Sequence, residues 1–398
     1  MEILYVSTLS SERLVNHIHQ TTGRDPGYAM QKFNRLLIKG LQMSGAKITA
    51  FTNPPITRSV SSDLFVFLGK ETENGIKYIY VPLINIPIIK HLLIISYVFF
   101  YVLFWGLKDR KNKVIICDVL NVSISLGALL GTKLNRVQSV GIVTDIYGLM
   151  VGAKKNLFNR FISICAHRIH NLYIMSYDKY ILLTEQMNER VNPQGRPYII
   201  MEALCDSSLM NKEERVVEKA FPKTVLYAGG LYEKYGLKML VEGFIKADVK
   251  DVRLVLYGSG SYVDELKEVC KTHQNVEFRG VASNEIVVEE EFKATLLVNP
   301  RPTNEEFTKY SFPSKNMEFM ASGTPLLTTK LPGMPKEYYP YVYLFEEETI
   351  DGYARILKEV LSIETEMLED RGEKGKKFVM QNKNNVYQAK RVLEFICK

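Results

Sequence analysis

The residues best placed to do chemistry in this 398-residue chain gather at three strand-to-loop junctions of its second half. The richest is RPTNEEFTKYSFPSKNMEFMASGTPLLTT, which follows the strand-like TLLVNP. Pro313 suits the first turn of a helix, where its missing N–H is not needed. Ser314 and Lys315 then stand at a helix N-terminus, with free amides and the positive end of the helix dipole, a ready seat for a phosphate. Glu318 follows one turn later, where a carboxylate can accept hydrogen bonds from ribose hydroxyls; taken alone it would read as an exposed helix carboxylate. Gly323 reads as the C-terminal cap before the next strand.

The second junction closes the strand KTVLYAGG. Gly229 and Gly230 let a ligand approach the backbone, and Lys234 can neutralise a phosphate, although a plain strand–helix turn would use the same residues. The third is Gly258-Ser259-Gly260, again between strand and helix. It resembles the start of a dinucleotide fingerprint, but Val263 stands where a third glycine belongs. The next strand ends in Arg279-Gly280, not in a carboxylate, so the loop suits a nucleotide contact and argues against NAD. No Asp-x-Asp occurs, so no metal-held diphosphate is expected, and His167 and His170 have no evident partner ligand.

These junctions need a scaffold, and the pattern of the chain supplies one. Short apolar, β-branched runs alternate with helical stretches throughout, the rhythm of parallel sheets covered on both faces. The first half carries runs at 3–6, 47–51, 77–81, 114–118, 139–144, 180–184 and 198–201. After a polar interruption at 206–222 a second series begins, closed by three helical stretches from about residue 350. The expected fold is α/β, two doubly wound Rossmann-like domains. They comprise 1–205 and 223–398, with 206–222 as a linker and the last helix a candidate to pack back on the first domain. In such sheets ligands bind beyond the carboxyl ends of the strands.

Composition narrows the class. Apolar residues make up 46% and charged residues 24%, which suits a globular protein and excludes disorder. The five cysteines lack metal or redox spacing and read as reduced thiols. The net charge of +7 is lopsided: residues 1–205 hold 23 basic and 13 acidic residues, so the first half is the one expected to meet an anion. No basic, aromatic-interleaved helix points to nucleic acid. The N-terminus reads as a strand and not as a signal peptide. His91–Leu107 is 17 residues without a formal charge, preceded by Lys90 and followed by Lys108, Arg110, Lys111 and Lys113. It reads either as a helix buried between layers or as one lying in a membrane interface; a true span fits the following strand-like KVIICDVL least well.

The blocks AGGLYEKYGLKMLVEGF, VLYGSGSYVDELKE, NVEFRG and SFPSKNMEFMASGTPLL, in this order between residues 228 and 327, resemble the C-terminal domain of family 4 glycosyltransferases. The first half is similar to that family only in its strand rhythm. The resemblance implies the two-domain GT-B fold and transfer of a sugar from a nucleotide diphosphate sugar with retention. It implies no metal or other cofactor; UDP is the guessed base. Two departures stand out. The first glutamate of the family's pair is Tyr310 here, with Glu318 the second. The usual strand-end arginine is Gly230, and the usual lysine before the glycine is Tyr235, with Lys234 one residue earlier. Arg301, Lys309 and Lys315 are near enough in sequence to supply the lost charge. By position in the family, Gly27 would approach the donor phosphates and Asp145 would lie near the transferred sugar.

The expected activity is therefore glycosyl transfer, with Asp145, Glu318 and Lys234 at the chemistry. Gly27, Gly229, Gly230, Gly258, Gly260, Arg301, Lys309, Tyr310, Ser314 and Lys315 would bind substrate. The expected acceptor is a polyprenyl-linked saccharide of cell-surface polysaccharide synthesis, met by a cytoplasmic protein held peripherally on an anionic membrane. A nucleotide-sugar epimerase of the same architecture, or a non-catalytic sugar-nucleotide-binding scaffold, are the alternatives.

Overall fold

The computed structural model describes residues 1–23, 28–58, 60–86, 88–107, 109–146, 168, 170–211 and 218–398. The chain divides into two units, Met1–Leu204 with Asn385–Lys398, and Cys205–Asn384. In chain order the first comprises β1 (Glu2–Ser7), α1 (Glu12–Thr22), α2 (Tyr28–Met43), β2 (Lys47–Thr52), β3 (Phe65–Val66), β4 (Lys70–Glu73), β5 (Ile76–Tyr80), β6 (Leu83–Ile84), α3 (Ile89–Gly106), β7 (Lys113–Asp118), α4 (Val122–Asn135), β8 (Gln138–Val143), β9 (Lys179–Leu182), α5 (Glu185–Val191) and β10 (Tyr198–Ile200). The second comprises β11 (Lys223–Gly230), α6 (Leu237–Ala247), β12 (Val252–Ser259), α7 (Val263–Thr272), β13 (Val276–Phe278), α8 (Asn284–Lys293), β14 (Leu296–Asn299), α9 (Ser314–Ser322), β15 (Leu326–Thr329), β16 (Tyr343–Phe345), α10 (Ile350–Ser362) and α11 (Thr365–Asn382). A last helix, α12 (Asn385–Cys397), belongs to the first unit.

The first unit's sheet runs β10-β9-β8-β7-β1-β2-β5-β4, parallel except for β4 at its edge. Its central strands are buried along their whole length, as continuous apolar runs require between two helical layers. Helix α12 seats on α2 because Gly40 has no side chain: a Cβ there would stand 2.1 Å from the Asn385 carbonyl oxygen. The Asn385 Nδ2 donates to the Leu36 carbonyl at 3.1 Å. Helix α1 is absent from the sequence reading, which had a polar loop there. Only Val15 and Ile18 of it are buried, too few for a periodicity, and Ser11 starts it by accepting from the Leu14 amide at 3.1 Å.

Helix α3 is not the sandwiched helix that one reading of 91–107 expected. Only Ile94, Val98, Val102 and Gly106 are buried, a single stripe at i, i+4 spacing, while Leu92, Phe100 and Phe104 are exposed. The stripe lies on α4, whose Gly127 and Gly131 allow the backbones to close. A Cβ on Gly127 would stand 2.6 Å from the Ile95 carbonyl oxygen, and one on Gly131 2.7 Å from a Val102 methyl. Asn135 finishes the seam by donating to the Val102 carbonyl at 2.8 Å. Lys113, read from sequence as one of four surface bases, is instead buried. Its Nζ donates to the Trp105 carbonyl at 2.7 Å and lies over the Trp105 ring, so it satisfies the end of α3. Lys108 lies outside the described residues.

The second unit's sheet is wholly parallel, in the order β13-β12-β11-β14-β15-β16. Its four middle strands therefore end on one edge, and the three junctions singled out in the sequence meet there.

Gly131→Val should overpack the α3–α4 seam and cost about 1–3 kcal/mol. Trp105, the only tryptophan of the chain, sits in α3 and reports this directly by its fluorescence during denaturant unfolding.

Candidate functional site

Helix α9 sets the geometry of the site. Pro313 does not occupy its first turn; it is the residue just before it, with φ −67°, and the helix begins at Ser314. The far end stops at Gly323 in the left-handed conformation, φ 82°. Between them Asn316 is fully buried and ties the first turn to the sheet. It accepts from the Asn299 Nδ2 at 2.5 Å and donates to the Thr328 Oγ1 at 3.3 Å, so the ends of β14 and β15 both hold it. The helix N-terminus is thus aimed at the edge where β11 ends.

A pocket of about 70 Å³ lies at that edge, lined by Gly229, Gly230, Tyr235, Arg301, Ser314 and Lys315 among others. Arg301 is half-buried, its guanidinium 4.9 Å from the Tyr235 ring and 5.4 Å from that of Phe307. Its Nε has no hydrogen-bond partner, and among the described residues Arg301 makes no ion pair. Burial pulls its pKa down, because the charged form has lost water, while Tyr235 and Tyr227 act the other way. Lys315 differs. Burial works against its charge too, but Glu318, bonded to its Nζ at 2.9 Å, and Glu291 at 4.0 Å raise its pKa overall. Two cations, a helix N-terminus and a strand end of two glycines thus surround one small space, a combination suited to an anion such as a phosphate.

The structure brings together Gly229, Gly230, Arg301, Ser314 and Lys315, with Glu318 one turn behind. It does not bring in the others. Lys234 is exposed and lines a different, wider pocket of about 760 Å³, with Glu233, Thr303, Asn304, Glu305 and Glu348; it is Tyr235 that lines the small pocket. Lys309 and Tyr310 lie on or beside the turn Glu306–Lys309, and neither lines the small pocket. Gly258 and Gly260 have a structural reason to be glycine that the sequence reading missed. A Cβ at 258 would stand 1.8 Å from the Gly229 carbonyl oxygen, and one at 260 would stand 2.1 Å from that of Leu231. The missing side chains make room for the neighbouring loop. Gly229 and Gly230 are different, for a Cβ there would first meet the Tyr227 hydroxyl and the rings of Tyr232 and Tyr235, each at about 3.0 Å.

In the first unit Asp145 follows β8, half-buried, and accepts from the Ile146 amide at 2.7 Å. Burial raises its pKa, and that hydrogen bond opposes the shift. Asp118, another strand-end carboxylate, is fully buried and accepts from the Asn34 Nδ2 at 3.1 Å and the Leu120 amide at 3.2 Å; it organises a loop. Gly27 and His167 lie outside the described residues. Among the described residues no group of His, Cys, Asp or Glu is arranged to hold a metal ion.

Residues 211–378 match the family described as glycosyl transferases group 1. The match lies within the second unit and takes in 168 of the 398 residues. The chain's two parallel α/β sheets match those of GT-B glycosyltransferase structures. Sucrose-phosphate synthase from Thermosynechococcus elongatus is 14% identical, with a TM-score of 0.63 and an alignment covering 100% of this chain and 99% of that one. HepE from Anabaena, in complex with UDP, is 14% identical, with a TM-score of 0.60 over 100% and 99% of the two chains. A TarM mutant of S. aureus, in complex with fondaparinux, α-GlcNAc-glycerol and UDP, is 11% identical, with a TM-score of 0.60 over 100% of both. No curated protein matches the chain. At this site Tyr227, Tyr235, Phe307, Asn299 and Asn316 are the site-building residues that sequence reasoning overlooked. Buried asparagines one at a strand end and one inside a helix's first turn were the available signal, since such amides need each other.

Arg301→Met keeps a long apolar stem on the Tyr235 and Phe307 rings while removing a half-buried charge that makes no ion pair among the described residues. Its unfolding free energy in denaturant should be unchanged or higher, by up to about 1–4 kcal/mol, where a purely structural arginine would make it fall.

Proposed function

We propose that this chain is a glycosyltransferase that takes a UDP-sugar and places the donor diphosphate in the pocket of Gly229, Gly230, Arg301, Ser314 and Lys315. The observation that carries the reading is Arg301, a half-buried cation that makes no ion pair among the described residues, beside a lysine and a helix N-terminus. It stands in for the strand-end arginine that Gly230 lacks, so the clamp is re-sited rather than lost. Two of the fold relatives, HepE and the TarM mutant, were solved with UDP, which supports the choice of base.

In transfer, the bond between the anomeric carbon and the diphosphate oxygen breaks, and its electron pair stays on that oxygen. Arg301, Lys315 and the amides at the start of α9 would stabilise the charge so formed, in place of a divalent metal. The acceptor hydroxyl attacks from the face the leaving group vacates, giving its proton to the departing phosphate, which retains configuration and asks for few protein acids. Glu318 holds the donor ribose through one carboxylate oxygen while the other keeps Lys315 in place. Asp145, its carboxyl raised in pKa by burial, is proposed to lie at the transferred sugar. The acceptor is a lipid-linked saccharide, and the protein is peripheral on the cytoplasmic face of a membrane. The excess of basic residues in 1–205 and the exposed apolar face of α3 favour this over a soluble acceptor.

The reading is tested by incubating the chain with UDP-sugars and lipid-linked saccharides, following UDP release and assigning the product anomer by NMR. Release without a product, or a product of inverted configuration, would overturn it. Turnover should persist in excess EDTA; a loss that Mg²⁺ or Mn²⁺ restores would mean that the clamp is not protein-made.

Glu318→Ala should weaken UDP binding by about 1–3 kcal/mol in calorimetry, since a charge-assisted bond is lost and Lys315 is left without its nearest partner. Glu318→Gln, which keeps a hydrogen-bonding oxygen, should recover part of that loss.

A further inference from the structure

We propose that the first unit docks on an anionic bilayer through one continuous surface, made by the outer face of α3 and the β3–β6 ribbon that precedes it. The proposal rests on the lipid-linked acceptor above for its purpose but not for its test.

The ribbon was invisible in the sequence reading. Strands β3 and β6 pair antiparallel, Phe65 against Ile84 and Val66 against Leu83, apart from the main sheet. Phe65 and Phe67, two residues apart, are exposed, Phe67 by 80%. Strand β6 packs against α3 and leads into it through Ile88 and Ile89, both exposed. The apolar surface then continues along α3 through Leu92, Phe100 and Phe104, the last 65% exposed. Isolated apolar side chains on a surface are ordinary; two adjoining elements that present phenylalanines to solvent are not.

Charge settles the occupant. None of the chain's 44 acidic residues lies between 74 and 108, and the bases of that stretch are Lys77, Lys90 and Lys108. Exposed Arg110 and Lys111 follow the end of α3, with Asp109 beside them. A water-facing helix would ordinarily alternate carboxylates with bases. This one has an apolar body with cations at its end, which matches a bilayer whose acyl boundary lies beneath anionic headgroups.

Helix α3 is long and apolar enough to cross a membrane. It lies along the surface all the same, because α4 packs along it and the chain goes straight on into β7, between β1 and β8 in the sheet. An interfacial depth suffices for the ribbon and the outer face of α3 to leave water together.

The experiment uses the full chain and vesicles of phosphatidylcholine with and without phosphatidylglycerol. The wild type should float with the anionic vesicles at low salt and detach as salt rises. Trp105 is the only tryptophan and lies in α3, so its emission should shift to the blue and be quenched by lipids brominated near the headgroup end of the acyl chain. Phe65→Ser with Phe67→Ser, and separately Phe100→Ser with Phe104→Ser, should each lower the bound fraction by at least about tenfold. These positions are exposed, so Tm and UDP affinity should stay as in the wild type. Wild-type protein left at the bottom of the gradient overturns the proposal, as do variants that float like the wild type. So does a wild-type dimer that the same substitutions make monomeric without any vesicle binding, which would assign the face to a second copy. If vesicle binding fails while UDP still binds, the docking surface falls and the donor site stands; the opposite result spares the surface and overturns the donor reading.

Discussion

The direction of the first turn of α9 governs the pocket at the edge of the second sheet, and three buried polar groups decide it. Asn316 has one acceptor and one donor to satisfy away from water, and Asn299 and Thr328 satisfy them from two adjacent strand ends. A rotation of the helix would break both bonds and strand the amide, so the arrangement behaves as a key rather than as a contact. Ser314 and Lys315 inherit their placement from it. Glu318, one turn on, pairs with Lys315 on the same face and is oriented by the same helix.

Arg301 completes the pocket in a different way. Among the described residues no carboxylate holds it. Aromatic rings flank it and burial strips it of water, so the charge is kept poised at the cost of stability. An acidic partner there would stabilise the fold and neutralise the pocket at once. The relation between Arg301 and Gly230 follows from space. A side chain at 230 would crowd Tyr232 and Tyr235, the second of which is the ring Arg301 rests on. Arginine at 301 and glycine at 230 are therefore coupled choices, one cation exchanged for another through a shared tyrosine.

What was legible in the sequence is what local pattern controls. The central strands of both sheets are unbroken apolar runs, and they stand where those runs predicted. The bounds of α9 were legible because Pro-Ser-Lys and a downstream glycine carry helix-boundary information within one segment. Contacts between segments were not. The cradle of Arg301 joins Tyr235 to Phe307, far apart in the chain, and nothing local announces it. Gly258 and Gly260 show the same limit: a glycine reports close approach but not of what, and here a neighbouring loop's carbonyls come close. Lys113 was counted as a surface base because sequence shows its charge and not the carbonyl of Trp105 to which it is bonded. Strands β3 and β6 are two residues each, below any period.

Helix α3 shows how far composition can mislead about burial. It is apolar on every side, yet only the stripe facing α4 leaves water. The reason lies in α4, where Gly127 and Gly131 strip the partner surface to backbone. The two helices approach closely over a narrow seam instead of interlocking over a broad one. A narrow seam cannot cover the flanks of a helix that carries phenylalanines there. Greater coverage would have needed large side chains on α4, and those would have pushed α3 away from the carbonyl-to-Asn135 bond that ends the seam. Close packing on one side and exposure on the other are thus consequences of one choice of small residues. Together with Arg301, which makes no ion pair among the described residues, the exposed face marks a place where this fold departs from its own stability optimum. Departures of that kind concentrate where a protein meets its ligands.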